Sequence, residues 1–190
     1  KQHQESMGSP LCHRHITTDF SEAQLELITP PLTGKKKGLN FLENIHHFVS
    51  HKIEGELIWP FSMPPLIRSD HDIPIAYYGS SNLALFKTAY RKGLSYRYGR
   101  NMQAISGIHF NYSLPEQIWK SSLFKEEAVS KKLRATIYFR MLRNLHRMNW
   151  LILYLFGASP IATKNFLTNK SRGFKKLDNH TYYLPFATSL

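Results

Sequence analysis

Hydrophobic and polar positions alternate through "HITTDFSEAQLELIT" (residues 15–29), which predicts extended structure with a turn near Ser21 and Glu22. Leu25 and Leu27 face one way there, with Gln24, Glu26 and Ile28 facing the other. Pro30, Pro31 and Gly34 end the strand, and "GKKKG" (34–38) reads as a solvated turn. Leu39, Leu42, Ile45, Val49 and Ile53 then fall at helical spacing, predicting an amphipathic helix over 39–53. The prolines and glycines of "IWPFSMPP" and "HDIPIAYYG" mark a long structured connection. A second helix is predicted over 82–98, with Leu83, Phe86, Ala89 or Tyr90, and Leu94 as its apolar stripe and Gly99 at its C-terminal cap.

"QAISGIHFNYSLP" (103–115) has a strand's period. Ile105, Gly107, His109, Asn111 and Ser113 share one face, and Ile108, Phe110, Tyr112 and Leu114 the other. The pattern predicts one buried side and one polar side. Pro115 opens a further helix. A longer one is predicted from Lys131 to Leu155, with Leu133, Ile137, Met141, Leu145, Met148 and Ile152 as a buried seam. Arg140, Arg143 and Arg147 occupy another of its faces, and "FGASP" (156–160) breaks it. A polar loop and one more strand follow. With no internal repeat or low-complexity tract, residues 1–190 read as a single domain.

Composition narrows the classes. Hydrophobic residues at 42% and aromatics at 13% argue against disorder. Lys and Arg number 25 against 13 Asp and Glu, a net charge of +12. That surplus makes nucleic acid, anionic membranes and phosphorylated small molecules candidate partners. The charges are scattered, however, as on any solvated basic surface. Cys12 has no second cysteine to pair with, which fits a reducing compartment. "WLILYLF" (150–156) is too short to span a bilayer, and the start shows no secretory pattern. The first residue is Lys1 and the last, Leu190, follows an aromatic-rich run, so both ends are expected to be cut rather than capped.

Three groups could carry chemistry. Asp19 and Glu26 are scarce carboxylates on extended, apolar-patterned segments. They suit a magnesium site, whose shell takes one or two carboxylates and substrate phosphates. Equally, Glu26 fits the solvated face of a half-exposed strand. His109 and Asn111 form a polar strand face suited to metal, phosphate or substrate, and an ordinary amphipathic strand explains them too. Tyr90 and Arg91 at a helix edge suit an amino acid and a phosphate, or simply a packed ring and a solvated cation. "CHRH" (12–15) lacks the four ligands of a structural zinc site. No P-loop and no G-x-G-x-x-G is present.

Six blocks in order, "ITTDFSEAQLELITP", "IWPFSMP", "YYGSSNLALFKTAYRKGLSYRYG", "MQAISGIHFNYSLP", "YLFGASP" and "YYLPFATSL", resemble the proteobacterial glutamate–cysteine ligase (gamma-glutamylcysteine synthetase) family over nearly the whole chain. That resemblance implies an α+β, glutamine-synthetase-like fold, a curved and largely antiparallel sheet with helices packed on its outer face. It implies ATP-dependent joining of the γ-carboxylate of L-glutamate to L-cysteine through a γ-glutamyl phosphate, the first step of glutathione biosynthesis, in the cytoplasm. Magnesium or manganese is the implied metal, with no nucleic-acid or membrane partner.

Position by position, the resemblance implies that Asp19, Glu26 and His109 hold metal. His109 and Asn111 serve the nucleotide, Arg91 lies near the transferring phosphate, and His109 and Arg91 are the catalytic pair. Tyr90, Phe20, Leu94 and Gln103 surround the amino-acid substrate, with Asn111 accompanying. His109 and Asn111 would look into the funnel while Phe110 and Tyr112 bury against outer helices. The family's upstream glutamate-rich strand, its downstream ligands and the arginine expected after "ATSL" are missing from these residues. The chain is therefore expected to be an internal fragment, or the product of a broken gene, with little activity alone. An inactive remnant and a basic nucleic-acid-binding module are the other two expectations.

Overall fold

β1 (Ile16–Thr18) and β2 (Leu25–Leu27) form the predicted antiparallel hairpin, pairing Ile16 with Leu27, Thr17 with Glu26 and Thr18 with Leu25. Its turn is closed by Asp19 N–H donating to the Gln24 carbonyl at 2.9 Å and Gln24 N–H to the Ser21 carbonyl at 3.0 Å. The computed structural model describes residues 5–64, 67–121, 129–157, 160–167 and 172–186. The chain divides into two compact units, Lys1–Gly107 and Ile108–Leu190.

In the first unit the alternation read from sequence places Leu25 and Leu27 against a core of Met7, Ile16, Ile45 and Val49. Ile45 and Val49 belong to α1 (Lys35–Lys52). This helix starts earlier than predicted: Lys35, Lys36 and Lys37, expected to be a turn, are its first turn after Gly34 at φ 90°. Lysine is a good helix former whose charge stays in water here, so nothing stops the helix extending back to the glycine. Leu39, expected in the stripe, is 64% exposed.

α2 (Asn82–Tyr98) matches its predicted bounds. Ser81 caps it, its hydroxyl accepting from Ala84 N–H at 3.3 Å, and Gly99 ends it at φ 85°, a conformation costly for any other residue. The buried face is different from the predicted stripe. Leu83, Phe86 and Tyr90 are 58%, 70% and 59% exposed, whereas Ala84 is fully buried. Thr88, Arg91 and Leu94 follow it inward. The small Ala84 packs against Ala76 and Tyr78. Leu94 packs on a further core of Phe20, Ile67, Ile73 and Ala104. A short helix, α3 (Arg100–Gln103), follows.

The strand expected over 103–115 is not formed. Gln103 ends α3, and among the described residues no strand pairs with the segment that follows. Ile108, Phe110 and Tyr112, expected to be buried, are 95%, 85% and 61% exposed. A strand pattern without a neighbouring ladder has nothing to bury against.

In the second unit α4 (Glu116–Trp119) begins after Pro115, and α5 spans Lys131–Phe156 behind the Ser130 cap. The two are joined by Arg134 donating to both Glu116 oxygens at 2.7 and 3.0 Å. Trp119 packs near Tyr138, whose hydroxyl accepts from Leu114 N–H. The predicted seam of α5 is only half realised: Leu133, Ile137 and Met141 are half-buried, but Leu145, Met148 and Ile152 are exposed. The single strand expected near the end is one of three: β3 (Ile161–Thr163), β4 (Lys175–Lys176) and β5 (Thr181–Tyr183) pair antiparallel in the order β3-β5-β4. Ala158 and Ser159 of the helix break and the final "ATSL" lie outside the described residues. The fold class is α+β, with every described ladder antiparallel. No described helix is long and apolar enough to cross a membrane.

Candidate active-site cleft

The turn after β1 and the inward face of α2 enclose a cleft of about 270 Å³ lined by Asp19, Phe20, Tyr90, Arg91, Leu94 and Gln103. Each wall has a structural reason. Phe20 is held by its own backbone, its carbonyl accepting from Ala76 N–H at 3.0 Å, and its ring is 2% exposed. Tyr90, Arg91 and Leu94 project from two successive turns of α2, since residues three and four apart share a helix face. Gln103 arrives from α3, immediately after Gly99 turns the chain.

Arg91 is the cleft's fixed cation. Its Nε donates to the Asp19 carbonyl, one Nη to the Thr18 carbonyl and the other to the Lys87 carbonyl, both at 3.1 Å. A guanidinium carries five N–H donors, and three of them are engaged in these bonds. Its Cζ lies 4.8 Å from the Tyr78 ring centroid, with Lys87 Nζ also over that ring at 4.9 Å.

Tyr78, Thr18 and Lys87 are the residues that sequence reasoning missed. The Tyr78 hydroxyl accepts from the Thr18 hydroxyl at 2.7 Å and donates to the Thr18 carbonyl at 2.9 Å. Burial pushes the phenol's pKa up, opposed by the Thr18 hydrogen bond and by Arg91, while Glu22 and Glu26 add to the rise. The tandem tyrosines of "AYYG" before an N-cap serine were the available signal, but nothing local distinguishes the buried Tyr78 from the exposed Tyr77.

Of the residues singled out from sequence, Asp19, Phe20, Tyr90, Arg91, Leu94 and Gln103 come together. Glu26 lies on the same hairpin opposite Thr17, half-buried and outside the cleft lining. His109 and Asn111 belong to the second unit and are exposed. Among the described residues no three His, Cys, Asp or Glu side chains are grouped to hold a metal ion. The "CHRH" histidines serve the backbone instead. His13 Nδ1 accepts from the N–H groups of His15 and Ile16, and His15 Nδ1 meets the Ile28 carbonyl at 2.9 Å.

A family model described as glutamate-cysteine ligase matches residues 1–190. A glutamate–cysteine ligase of Pseudomonas entomophila (strain L48) is 48% identical over 190 residues, 99% of this chain and 36% of that protein. One from Alcanivorax borkumensis (strain SK2) is 46% identical over the same share of each. Among solved structures, glutamate–cysteine ligase from Francisella tularensis in complex with AMP superposes with a TM-score of 0.86 at 38% identity, covering 100% of this chain and 37% of that one. A bifunctional glutathione synthetase from Pasteurella multocida gives 0.71 at 32% identity, over 84% of this chain and 21% of its own. The chain thus spans a little over a third of the length of the ligases it matches.

Proposed function

Because the chain belongs to the glutamate–cysteine ligase family, we propose that it supplies part of an ATP-dependent ligase site for L-glutamate and L-cysteine, as one portion of a longer catalytic domain. The γ-phosphoryl group of ATP passes to an oxygen of the glutamate side-chain carboxylate, releasing ADP. The cysteine amine then attacks that acyl carbon, forming the C–N bond as the C–O bond to phosphate breaks and the amine loses its proton. Little covalent work falls to the protein in such a sequence, and positioning with charge neutralisation dominates.

The observation that carries this reading is the convergence of six side chains in one cleft. Phe20 and Leu94 give an apolar wall for a small side chain bearing a thiol. The Tyr90 phenol and Gln103 amide supply donors and an acceptor. The Arg91 guanidinium suits an anionic group of the substrate. On this reading Asp19 and Glu26 would hold magnesium or manganese, which would neutralise phosphate charge, and His109 is a metal ligand by family resemblance alone. His109 and Asn111 serve the nucleotide, and His109 and Arg91 are the catalytic groups. The AMP bound in the Francisella tularensis ligase supports a nucleotide site in this family.

Two carboxylates are too few to hold the several metal ions that neutralise a triphosphate, so this chain alone is expected to form little or no γ-glutamylcysteine. Exchanging the matched segment of the Pseudomonas entomophila ligase for these 190 residues tests the assignment. The chimera is expected to release phosphate only when ATP, glutamate and cysteine are all present. Tyr90→Ala in that chimera should raise KM for cysteine more than it lowers kcat. A folded chimera with no peptide formation would leave an inactive remnant as the better description.

A further inference from the structure

α1 carries two imidazoles one turn apart on the side away from its core contacts. Ile45 and Val49 turn inward, and the helical repeat puts His47 and His51 on the opposite face, where both are exposed. His51 Nδ1 meets the His47 carbonyl at 2.7 Å. A carbonyl oxygen can only accept, so in the neutral ring Nδ1 carries the hydrogen and the lone pair is left on Nε2. Metal-binding histidines are commonly held and oriented by just such a bond from the second ring nitrogen. Glu43, one turn before His47 on the same row, brings its Oε1 to 4.0 Å from His47 Nε2.

We propose that His47 and His51 form a binding site for a borderline divalent transition-metal ion, of the Cu2+, Ni2+ and Zn2+ class. Side chains four apart on a helix are neighbours across one turn, so a single ion can bridge both Nε2 atoms while water completes its shell. Among the described residues no third His, Cys, Asp or Glu is grouped with them, and Glu43 contributes a nearby negative charge that offsets the ion's. Imidazole nitrogen selects this class over Mg2+, which prefers oxygen. Residues 47–51, "HFVSH", share the histidine spacing of the H-E-x-x-H helix, but Phe48 stands where that motif has its glutamate base. The pair therefore binds metal without that hydrolytic chemistry. Ile45 and Val49 fix the helix on its core, so both ligands stand on a rigid element. The site is independent of the ligase reading and of the magnesium expected at Asp19 and Glu26.

The 190-residue chain, produced without a polyhistidine tag, is titrated with ZnCl2 by isothermal calorimetry and with NiCl2 by 15N NMR. No ATP, glutamate or cysteine is present, so the result stands whether or not the chimera makes peptide. A saturable Zn2+ site is expected, with paramagnetic broadening by Ni2+ centred on Glu43, His47 and His51. Zn2+ affinity should fall at least about tenfold in His47→Gln and in His51→Gln, and less than that in Glu43→Gln. It should stay within about twofold of the parent in His46→Gln, whose ring leaves the helix on a different face. Excess MgCl2 should leave it unchanged. Circular dichroism should show equal helix content in every variant, because these side chains face solvent. Absence of binding by the parent, or equal affinity in the His47→Gln/His51→Gln double variant, would overturn the site. So would Ni2+ broadening centred on Cys12 to His15 in place of α1.

Discussion

The Arg91 Cζ lies over the Tyr78 ring, 4.8 Å from its centroid, while one Nη donates to the Thr18 carbonyl at 3.1 Å. The same carbonyl accepts the Tyr78 hydroxyl. One strand-end oxygen therefore fastens β1 both to α2 and to the segment before it, and the cleft opens beside that junction. Arg91→Lys keeps the charge but loses the planar fork, and is expected to destabilise the first unit by about 2 kcal/mol. Urea unfolding followed by intrinsic fluorescence measures it. A loss below a few tenths of that size would mean the carbonyls are satisfied without the guanidinium.

Tyr78→Phe removes one hydroxyl from two hydrogen bonds and strands the buried Thr18 hydroxyl. A destabilisation of about 1–2 kcal/mol is expected at neutral pH. The phenol's pKa is raised in the folded state, chiefly by burial. The unfolded phenol ionises first, so this contribution is complete below about pH 10 and declines as pH rises through the folded value. Denaturation at pH 8 and pH 10.5 should therefore show a smaller loss of stability in Tyr78→Phe than in the parent.

In the second unit the Arg134 hydrogen bonds hold the Glu116 carboxyl below its ordinary value, with burial opposing and the charges of Arg134 and Lys120 adding. Its folded pKa is depressed, so the pair's contribution is present above the ordinary carboxylate range and is lost as pH falls through the folded value. Because Glu116 is solvent-exposed, salt should weaken the effect. Side-chain NMR titration of Glu116 in Arg134→Gln is expected to move its midpoint upward toward the usual value.

The two ends of α2 set where Tyr90, Arg91 and Leu94 stand. Ser81→Ala removes the cap bond to Ala84 and should cost about 1 kcal/mol. Gly99→Ala forces an alanine into φ 85° and should cost about 1–2 kcal/mol. Thermal unfolding reads both, and each should also weaken any ligand in the cleft without touching it.

How much was legible in the sequence follows from these same residues. The hairpin and the bounds of α2 were readable because they depend on local chemistry: alternation at Leu25 and Leu27, a capping serine, a terminal glycine. Which face of α2 packs was not readable, because apolar periodicity favoured Leu83, Phe86 and Tyr90. Close approach to Tyr78 instead selected Ala84 and brought Arg91 inward. The 103–115 strand and the C-terminal half of the α5 seam were patterned for a burial that the described residues do not provide. For the site, residue patterns alone left Tyr90 and Arg91 as a packed ring and a solvated cation. The family resemblance grouped Tyr90 with Phe20, Leu94 and Gln103 and set Arg91 near the transferring phosphate, and the structure places those five in one cleft with Asp19. Tyr78 was invisible to both.

The central claim is that this cleft receives the amino-acid substrate, and backbone NMR of the 15N-labelled chain titrated with L-cysteine tests it most directly. Shifts concentrated at Phe20, Tyr90, Arg91, Leu94 and Gln103, weakened by Gln103→Ala and absent with an unrelated thiol lacking the amino-acid groups, are the predicted result. Saturating cysteine that leaves those five resonances unmoved, or moves residues elsewhere instead, would contradict it.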